Sequence, residues 1–138
     1  MKPLMLAALF FAAFSTVSLH AAQAAADKDP LAKFSDEDLS DPGFCFNQFS
    51  AAIKAKDAVL AKAFIQELPR ALAILDIKKD ADKAKFLAAL SKYEGCTATG
   101  SQKNAFTRTG EVTFSDAKGA EKKVRMQNIG GRWLVLPD

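Results

Sequence analysis

The first 26 residues constrain the fold most, because they have the pattern of an export signal and not of a domain. Lys2 supplies a positive start, and residues 4–19 run almost wholly apolar. Ala22-Gln23-Ala24 has the small-x-small pattern of a signal-peptidase site, and Ala24-Ala25-Ala26 is a second candidate. The apolar run of 16 residues is shorter than the roughly 20 that a spanning helix needs, so a retained anchor is the weaker interpretation. We therefore expect an exported protein, periplasmic or extracellular, without membrane contact after cleavage.

Cleavage at these sites leaves 112 or 114 of the 138 residues, which suits one small domain. Residues 27–41 hold six acidic residues and two lysines, and we expect a flexible acidic leader there. Within it, Ser35 and Asp38 form a capping box that predicts a single helical turn. The remaining residues, 42–138, are predicted to form a single α+β domain.

The histidine content limits the chemistry of the predicted mature chain. The one histidine of the sequence, His20, lies in the signal. Ser-His-Asp and Cys-His machinery and the common histidine-based metal sites are therefore excluded. We expect no catalytic residues, no metal and no cofactor. The lysines are scattered instead of clustered with aromatic residues, so we expect no nucleic-acid partner either.

Two cysteines, Cys45 and Cys96, remain after the signal. An isolated pair in an exported protein predicts a disulfide, which would join the start of the first helix to the end of the third. The alternative is two free or metal-binding thiols; a metal site of two cysteines without histidine is poor, and there is no C-x-x-C redox spacing.

The first part of the domain has helical periodicity. Asp41 and Pro42 are typical of an N-cap and a first helical position. One apolar face follows, at spacings of three and four, made by Cys45, Phe46, Phe49, Ala52 and Ile53. Asp57 predicts the N-cap of a second helix, whose apolar face holds Leu60, Ala61, Phe64, Ile65 and Leu68.

Proline and polar residues then interrupt the helical pattern. Pro69 is expected to break or kink the second helix. Residues 71–77 are either helical or a buried connector, and periodicity does not decide between these. A third helix is predicted over residues 82–93, capped by Asp80 or Asp82 and ended by Gly95, with Phe86, Leu87, Leu90 and Tyr93 directed inward.

The last part of the chain alternates as strands do. Residues 97–103 are predicted to form a short strand and residues 105–115 a longer one, with Phe106, Arg108, Gly110, Val112 and Phe114 on one face. Turns at residues 116–119 and at Gly130-Gly131 separate two more strands, 122–128 and 132–136. In the third strand Val124 and Met126 point one way, and Lys123, Arg125 and Gln127 the other.

The predicted fold class is therefore α+β, with N-terminal helices packed on a C-terminal antiparallel meander sheet of three to four strands. The helices are expected to cover the apolar face. The last strand is expected to be an exposed edge, through which a homodimer is possible.

Arg108 is the first candidate for ligand binding, because it shares a predicted strand face with buried residues and a buried arginine needs a partner. An apolar pocket beside it would be lined by Phe49, Phe64, Phe106, Phe114 and Trp133. The alternative places Arg108 at a strand end in water and the aromatic residues in the core.

The chain also resembles a known family. Phe49-x-x-x-Ile53-x-x-x-Asp57, followed by a second helix, resembles the opening of nuclear transport factor 2-like, cone-shaped α+β domains. The stretch VRMQNIGGRWLV at residues 124–135 resembles their closing hairpin, and the resemblance covers residues 44–136. It implies a small exported member without established catalysis. Enzymes of the family use Asp, Tyr or His inside the cone, and this chain has no histidine there and no tyrosine in the sheet.

Three functions follow, in order of preference. The first is a small exported binding or accessory domain without catalysis, with a modest apolar pocket for an apolar or anionic small ligand or with a surface for a protein partner. The alternative is a structural or envelope-stress protein with no small ligand. A carboxylate-based isomerase- or dehydratase-like enzyme is the least favoured.

Overall fold

A computed structural model of the protein describes residues 29–137. The predicted signal lies outside the described residues. The Cα positions group the chain into Met1–Lys33 and Phe34–Asp138, and every helix and strand described belongs to the second unit. Its α-helices are α1 (Asp36–Leu39), α2 (Pro42–Lys54), α3 (Ala58–Ala63), α4 (Arg70–Ala73) and α5 (Asp80–Ala89), followed by a 3-10 turn at Ser91–Tyr93. Its strands are β1 (Thr97–Asn104), β2 (Thr109–Ser115), β3 (Glu121–Ile129) and β4 (Arg132–Leu136).

Side-chain caps start the first three helices at the predicted residues. The Ser35 hydroxyl accepts from the Asp38 N–H, the Asp41 carboxylate from the Gly43 N–H, and the Asp57 carboxylate from the Leu60 N–H. Each cap satisfies a backbone donor that the first helical turn leaves without a partner. The capped turn within the acidic segment is α1, and its Leu39 is buried.

Helix α3 ends earlier than the apolar pattern predicts. The pattern continues to Leu68, but the helix ends at Ala63 with Phe64 as its C-cap. The chain then pairs with β4: Val135 N–H donates to the Phe64 carbonyl at 2.6 Å, and Gln66 N–H donates to the Val135 carbonyl at 2.9 Å. Pairing with β4 takes the place of the last turn of the predicted helix. Pro69 lies beyond the end of α3 and therefore does not interrupt it.

The third predicted helix is divided in two. Helix α5 starts after Lys79, which provides no side-chain cap, and Tyr93 belongs to the separate 3-10 turn. Neither Asp80 nor Asp82 is the N-cap, because Asp80 is already helical and Asp82 Oδ2 accepts from the Asp76 N–H at 3.0 Å. The predicted inward residues Phe86, Leu87, Leu90 and Tyr93 are all buried.

The connector left open by periodicity is mostly irregular. Only α4 is helical within it, and none of its residues is buried. Ile74, which follows α4, is 78% exposed.

The four strands form an antiparallel meander in the order β1-β2-β3-β4, as predicted. The β2–β3 turn is held by Asp116 Oδ1, which accepts from the Lys118 and Ala120 N–H groups. Gly130 and Gly131 both have positive φ in the β3–β4 turn, a conformation that glycine adopts without strain. The molecule is therefore of the α+β class, with helices packed on the sheet.

Helix α2 packs on one face of the sheet and forms the core with it. The sheet contributes the buried side chains Val112, Phe114, Val124, Met126, Trp133 and Val135. The fully buried ring of Phe46 stacks on Phe114, with 4.7 Å between the ring centroids. Ser50 Oγ donates to the Tyr93 carbonyl at 2.7 Å and joins α2 to the 3-10 turn.

The edges of the sheet differ from the expectation that the last strand is open. The outer edge of β4 is occupied at Val135, which forms a parallel bridge with Ile65. The other edge is β1, whose residues are mostly exposed. Its Ala98 N–H donates to the Asn47 side chain at 2.8 Å, so α2 covers the start of this edge. The bridge to Ile65 covers β4 at Val135, and a homodimer through the sheet stays a prediction.

Candidate functional site

The face of the sheet opposite α2, called here the outer face, is polar because the strands alternate. Val124 and Met126 point into the core, so Lys123, Arg125 and Gln127 point to the outer face. Pairing across the strands then brings together Gln102 of β1, Glu111 of β2, Arg125 of β3 and Leu136 of β4 as one row across the sheet.

This row borders an open cavity of ≈ 550 Å³, to which all four of its members contribute. A second cavity of ≈ 400 Å³ lies where the segment after α3 passes β4. Glu67, Pro69 and Gln127 border this second cavity, together with Arg125 and Leu136. Arg125 and Leu136 therefore border both cavities.

The charges of the outer face leave Arg125 available. Glu111 lies directly across from Arg125 in the β2–β3 register, but its Oε1 pairs with Lys123 Nζ at 3.4 Å. Within residues 29–137, Arg125 makes no ion pair, and its guanidinium makes no hydrogen bond. A guanidinium presents five donors in a fork that matches carboxylate and phosphate groups. The arrangement is suited to holding an anion between the two cavities.

Four of the predicted pocket residues lie in the core. Phe49, Phe64, Phe114 and Trp133 are each at most 4% exposed. Their rings contact other rings: Phe49 lies 5.5 Å from Tyr93 and Phe64 lies 5.9 Å from Phe34, between centroids. These side chains fill the space between helices and sheet, so they do not border either outer-face cavity.

Arg108 and Phe106 are not on a strand, contrary to the sequence prediction. Strand β2 begins at Thr109, and residues 105–108 form the turn between β1 and β2. Asn104 Oδ1 accepts from the N–H groups of Phe106 and Thr107, and Arg108 has a left-handed φ of 55°. Arg108 is exposed and Phe106 is fully exposed, so the structure separates both from the buried phenylalanines.

The predicted disulfide is absent: Cys45 and Cys96 are both free and buried. Cys45 Sγ donates to the Leu39 carbonyl at 3.4 Å, whereas Cys96 Sγ donates to the Lys92 carbonyl at 3.4 Å. The two thiols have different surroundings, because α2 turns Cys45 toward α1 and Cys96 follows the 3-10 turn.

Burial is the main cause of the raised pKa of both thiols. Desolvation raises the pKa of Cys45 to about 11; a hydrogen bond with the Trp133 backbone opposes this, and the carboxylates of Asp41 and Asp38 add to it. Burial also raises the pKa of Cys96. Both side chains are therefore neutral and weakly nucleophilic at neutral pH.

No cluster of three or more His, Cys, Asp or Glu side chains in residues 29–137 is placed to hold a metal ion. None of the helices described there is long and apolar enough to cross a bilayer.

Comparison with known proteins gives no relative: no family model, curated protein or solved structure matches the chain. Membership of the nuclear transport factor 2-like family, with what it implies, stays a prediction.

Sequence reasoning singled out Arg108 and not Arg125. The alternation of β3 already placed Arg125 on the polar face with Lys123 and Gln127. The register that puts it opposite Glu111 and beside Leu136 was not readable from one strand alone. A search for the arginine in the middle of a polar strand face would have found it.

Proposed function

We propose that this protein is a small exported binding domain without catalysis, and that its ligand presents an anionic group to Arg125 on the outer face of the sheet. The observation that carries the proposal is the position of the Arg125 guanidinium, which borders both cavities and has no ion-pair partner among residues 29–137. The predicted apolar pocket has no part in it, because the phenylalanines expected to line that pocket are packed in the core.

The charge of the sheet supports an anionic ligand. The four strands contain five basic residues, Lys103, Lys122, Lys123, Arg125 and Arg132, and two acidic residues, Glu111 and Glu121. Glu111 of β2, which borders the larger cavity, is paired with Lys123. A concave surface with an excess of one charge raises the local concentration of ligands of the opposite charge.

The other residues that border the larger cavity indicate which further chemical groups the ligand has. Leu136 offers an apolar contact beside Arg125, and Gln102 offers an amide at the other end of the row. The larger cavity, ≈ 550 Å³, is within the range of small-molecule sites. A carboxylate or phosphate attached to a small, partly apolar body fits this combination of groups.

The proposal is tested by ¹H–¹⁵N NMR titration of the protein with sodium phosphate, against sodium chloride at equal ionic strength. We expect phosphate to shift the backbone amides of Glu111, Arg125 and Gln127 more than chloride does. Arg125→Gln should abolish the difference. Arg108→Gln removes the same charge from a turn outside both cavities, and should leave the difference intact.

Two outcomes contradict the proposal. Equal effects of phosphate and chloride would show that the outer face has no anion site, and would favour the alternative of a structural protein without a small ligand. Equal losses in the Arg125→Gln and Arg108→Gln variants would show that net charge, and not the position of Arg125, governs binding.

A further inference from the structure

Phe106 is the most exposed large apolar side chain among the described residues. Its relative exposure is 100%, in the four-residue turn between β1 and β2. The turn is held by Asn104 Oδ1, which accepts from the Phe106 N–H at 3.0 Å and the Thr107 N–H at 3.2 Å. The hydroxyls of Thr107 and Thr109 lie 2.6 Å apart and add a contact across the same turn. The turn is therefore held by its own hydrogen bonds, and the Phe106 ring takes part in none of them.

A second turn, Gly130-Gly131 between β3 and β4, lies beside the first. The Asn128 N–H donates to the Arg108 carbonyl at 2.8 Å, so the β1–β2 and β3–β4 turns meet at the same end of the sheet. The second turn starts from Ile129, which is 40% exposed, and leads into Arg132. The two turns therefore bring Phe106, the exposed Arg108 and Ile129, the last residue of β3, to one end of the sheet. This end of the sheet is called here the two-turn end.

The charge and shape of the two-turn end indicate its partner. Neither turn contains an acidic residue, and Arg108 is exposed beside Phe106. Phe106 borders none of the cavities described above, so the ring protrudes instead of lining a socket. A protruding aromatic ring beside an exposed cation matches a lipid interface, where the ring enters the boundary of headgroups and acyl chains and the cation contacts anionic headgroups.

We infer that the two-turn end docks the protein peripherally on an anionic lipid surface, with Phe106 inserted and Arg108 at the headgroups. This differs from the sequence expectation of no membrane contact. It does not rest on the anion site at Arg125: the cavity there reaches this end of the sheet at Asn104 and Thr109, but neither Phe106 nor Arg108 borders it.

The test is co-sedimentation with vesicles of phosphatidylglycerol and phosphatidylcholine, against vesicles of phosphatidylcholine alone. All variants are made in the full sequence, and intact mass shows whether residues 1–26 remain attached, since that apolar stretch would itself bind lipid. We expect binding to the anionic vesicles that weakens as salt is raised. Phe106→Ala should weaken it about tenfold, as expected for loss of a buried phenyl ring.

Matched variants separate the two-turn end from general effects. Ile74→Ala removes an exposed apolar side chain beyond α4, and Arg70→Gln removes the charge of an exposed arginine in α4; both should bind like the unaltered protein. Arg108→Gln should weaken binding and reduce its salt dependence.

A local probe reports insertion directly and does not depend on the N-terminal segment. The natural Trp133 is 4% exposed, so the emission of a Phe106→Trp variant contains one solvent-exposed indole. That emission should shift to shorter wavelength with anionic vesicles. Equal losses in Phe106→Ala and Ile74→Ala, equal losses in Arg108→Gln and Arg70→Gln, or an unshifted Phe106→Trp emission would overturn the inference. Binding of a folded protein to neither vesicle would also overturn it.

Discussion

The two faces of the sheet come from the same strands but have different roles. The face covered by α2 consists of closely packed apolar side chains such as Val112, Phe114 and Val124, each at most 2% exposed. The outer face carries Lys123, Arg125 and Gln127 and borders open cavities. Because consecutive residues of a strand point to opposite faces, one amphipathic sheet supplies both the core and a polar surface. Substitutions on the covered face should therefore lower the free energy of unfolding, whereas substitutions on the outer face should mainly affect ligand binding.

The largest effect on the free energy of unfolding is expected for Phe46→Ala, in the helix that packs on the covered face. Phe46 is fully buried and stacks on Phe114, so its truncation leaves a cavity between helix and sheet. We expect a loss of about 3–5 kcal/mol in the free energy of unfolding, measured by urea denaturation followed by circular dichroism. Arg125→Gln on the outer face should change it by less than about 0.5 kcal/mol. Similar losses in the two variants would remove the distinction between the faces.

Gly110→Ala tests how closely the covered face is packed at β2. A Cβ at this position would lie 2.7 Å from the Gln102 carbonyl oxygen and 2.9 Å from Trp133 Cζ3. Overpacking of this kind should lower the free energy of unfolding by about 1–3 kcal/mol in the same urea experiment. Gly100→Ala in β1 is the control, because a Cβ there meets no atom within 4 Å. A Gly110→Ala variant as stable as the Gly100→Ala variant would mean that the ring of Trp133 is not held against β2.

Cys45 gives a pH-dependent measure of burial between α2 and β4. Its folded-state pKa of about 11 lies above the ordinary value of 9.0, so the neutral thiol stabilises the fold below pH 9.0 and that contribution is lost as pH rises toward about 11. Midway between these values the contribution of Cys45 to the free energy of unfolding should be about 1 kcal/mol smaller than at neutral pH. Cys45→Ala should show a smaller alkaline loss in urea denaturation at the two pH values. An identical alkaline loss in both proteins would place Cys45 in contact with solvent.

The smallest expected effect concerns the β2–β3 turn, outside both faces. Hydrogen bonds from the Ala120 and Lys118 backbone, together with Lys122 at 3.4 Å, lower the pKa of the Asp116 carboxyl below its ordinary value of 3.8. The charged carboxylate therefore stabilises the fold above pH 3.8, and this contribution is lost as pH falls through the lowered pKa. Asp116→Asn should reduce the drop in melting temperature between neutral pH and acid below pH 3.8. An unchanged acid dependence would show that the turn does not retain its hydrogen bonds in solution.

Much of the fold was readable from the sequence because its signals are local. Ser35, Asp41 and Asp57 cap helices through bonds to N–H groups two or three residues away. The turns at Asp116 and at Gly130-Gly131 likewise depend on adjacent residues. The alternation within β3 correctly separated its core side from its polar side. Such features need only a few consecutive residues, which is why the α+β class and the meander were predictable.

The tertiary structure decided what depends on residues far apart in the chain. Helix α3 ends at Ala63 because Phe64 and Gln66 bond to Val135, about 70 residues away. Cys45 and Cys96 are free thiols that donate to carbonyls of different segments, although an isolated cysteine pair in the sequence had predicted a disulfide.

The candidate site also depends on residues that are far apart in the chain. Arg125 became a candidate only when the register of four strands placed it between two cavities, while its neighbour Glu111 bonded to Lys123. Alternation determined which way Arg125 points. Which groups it meets there was determined by strand pairing, because cross-strand neighbours are set by the packing of the whole domain and not by the order of residues within one strand.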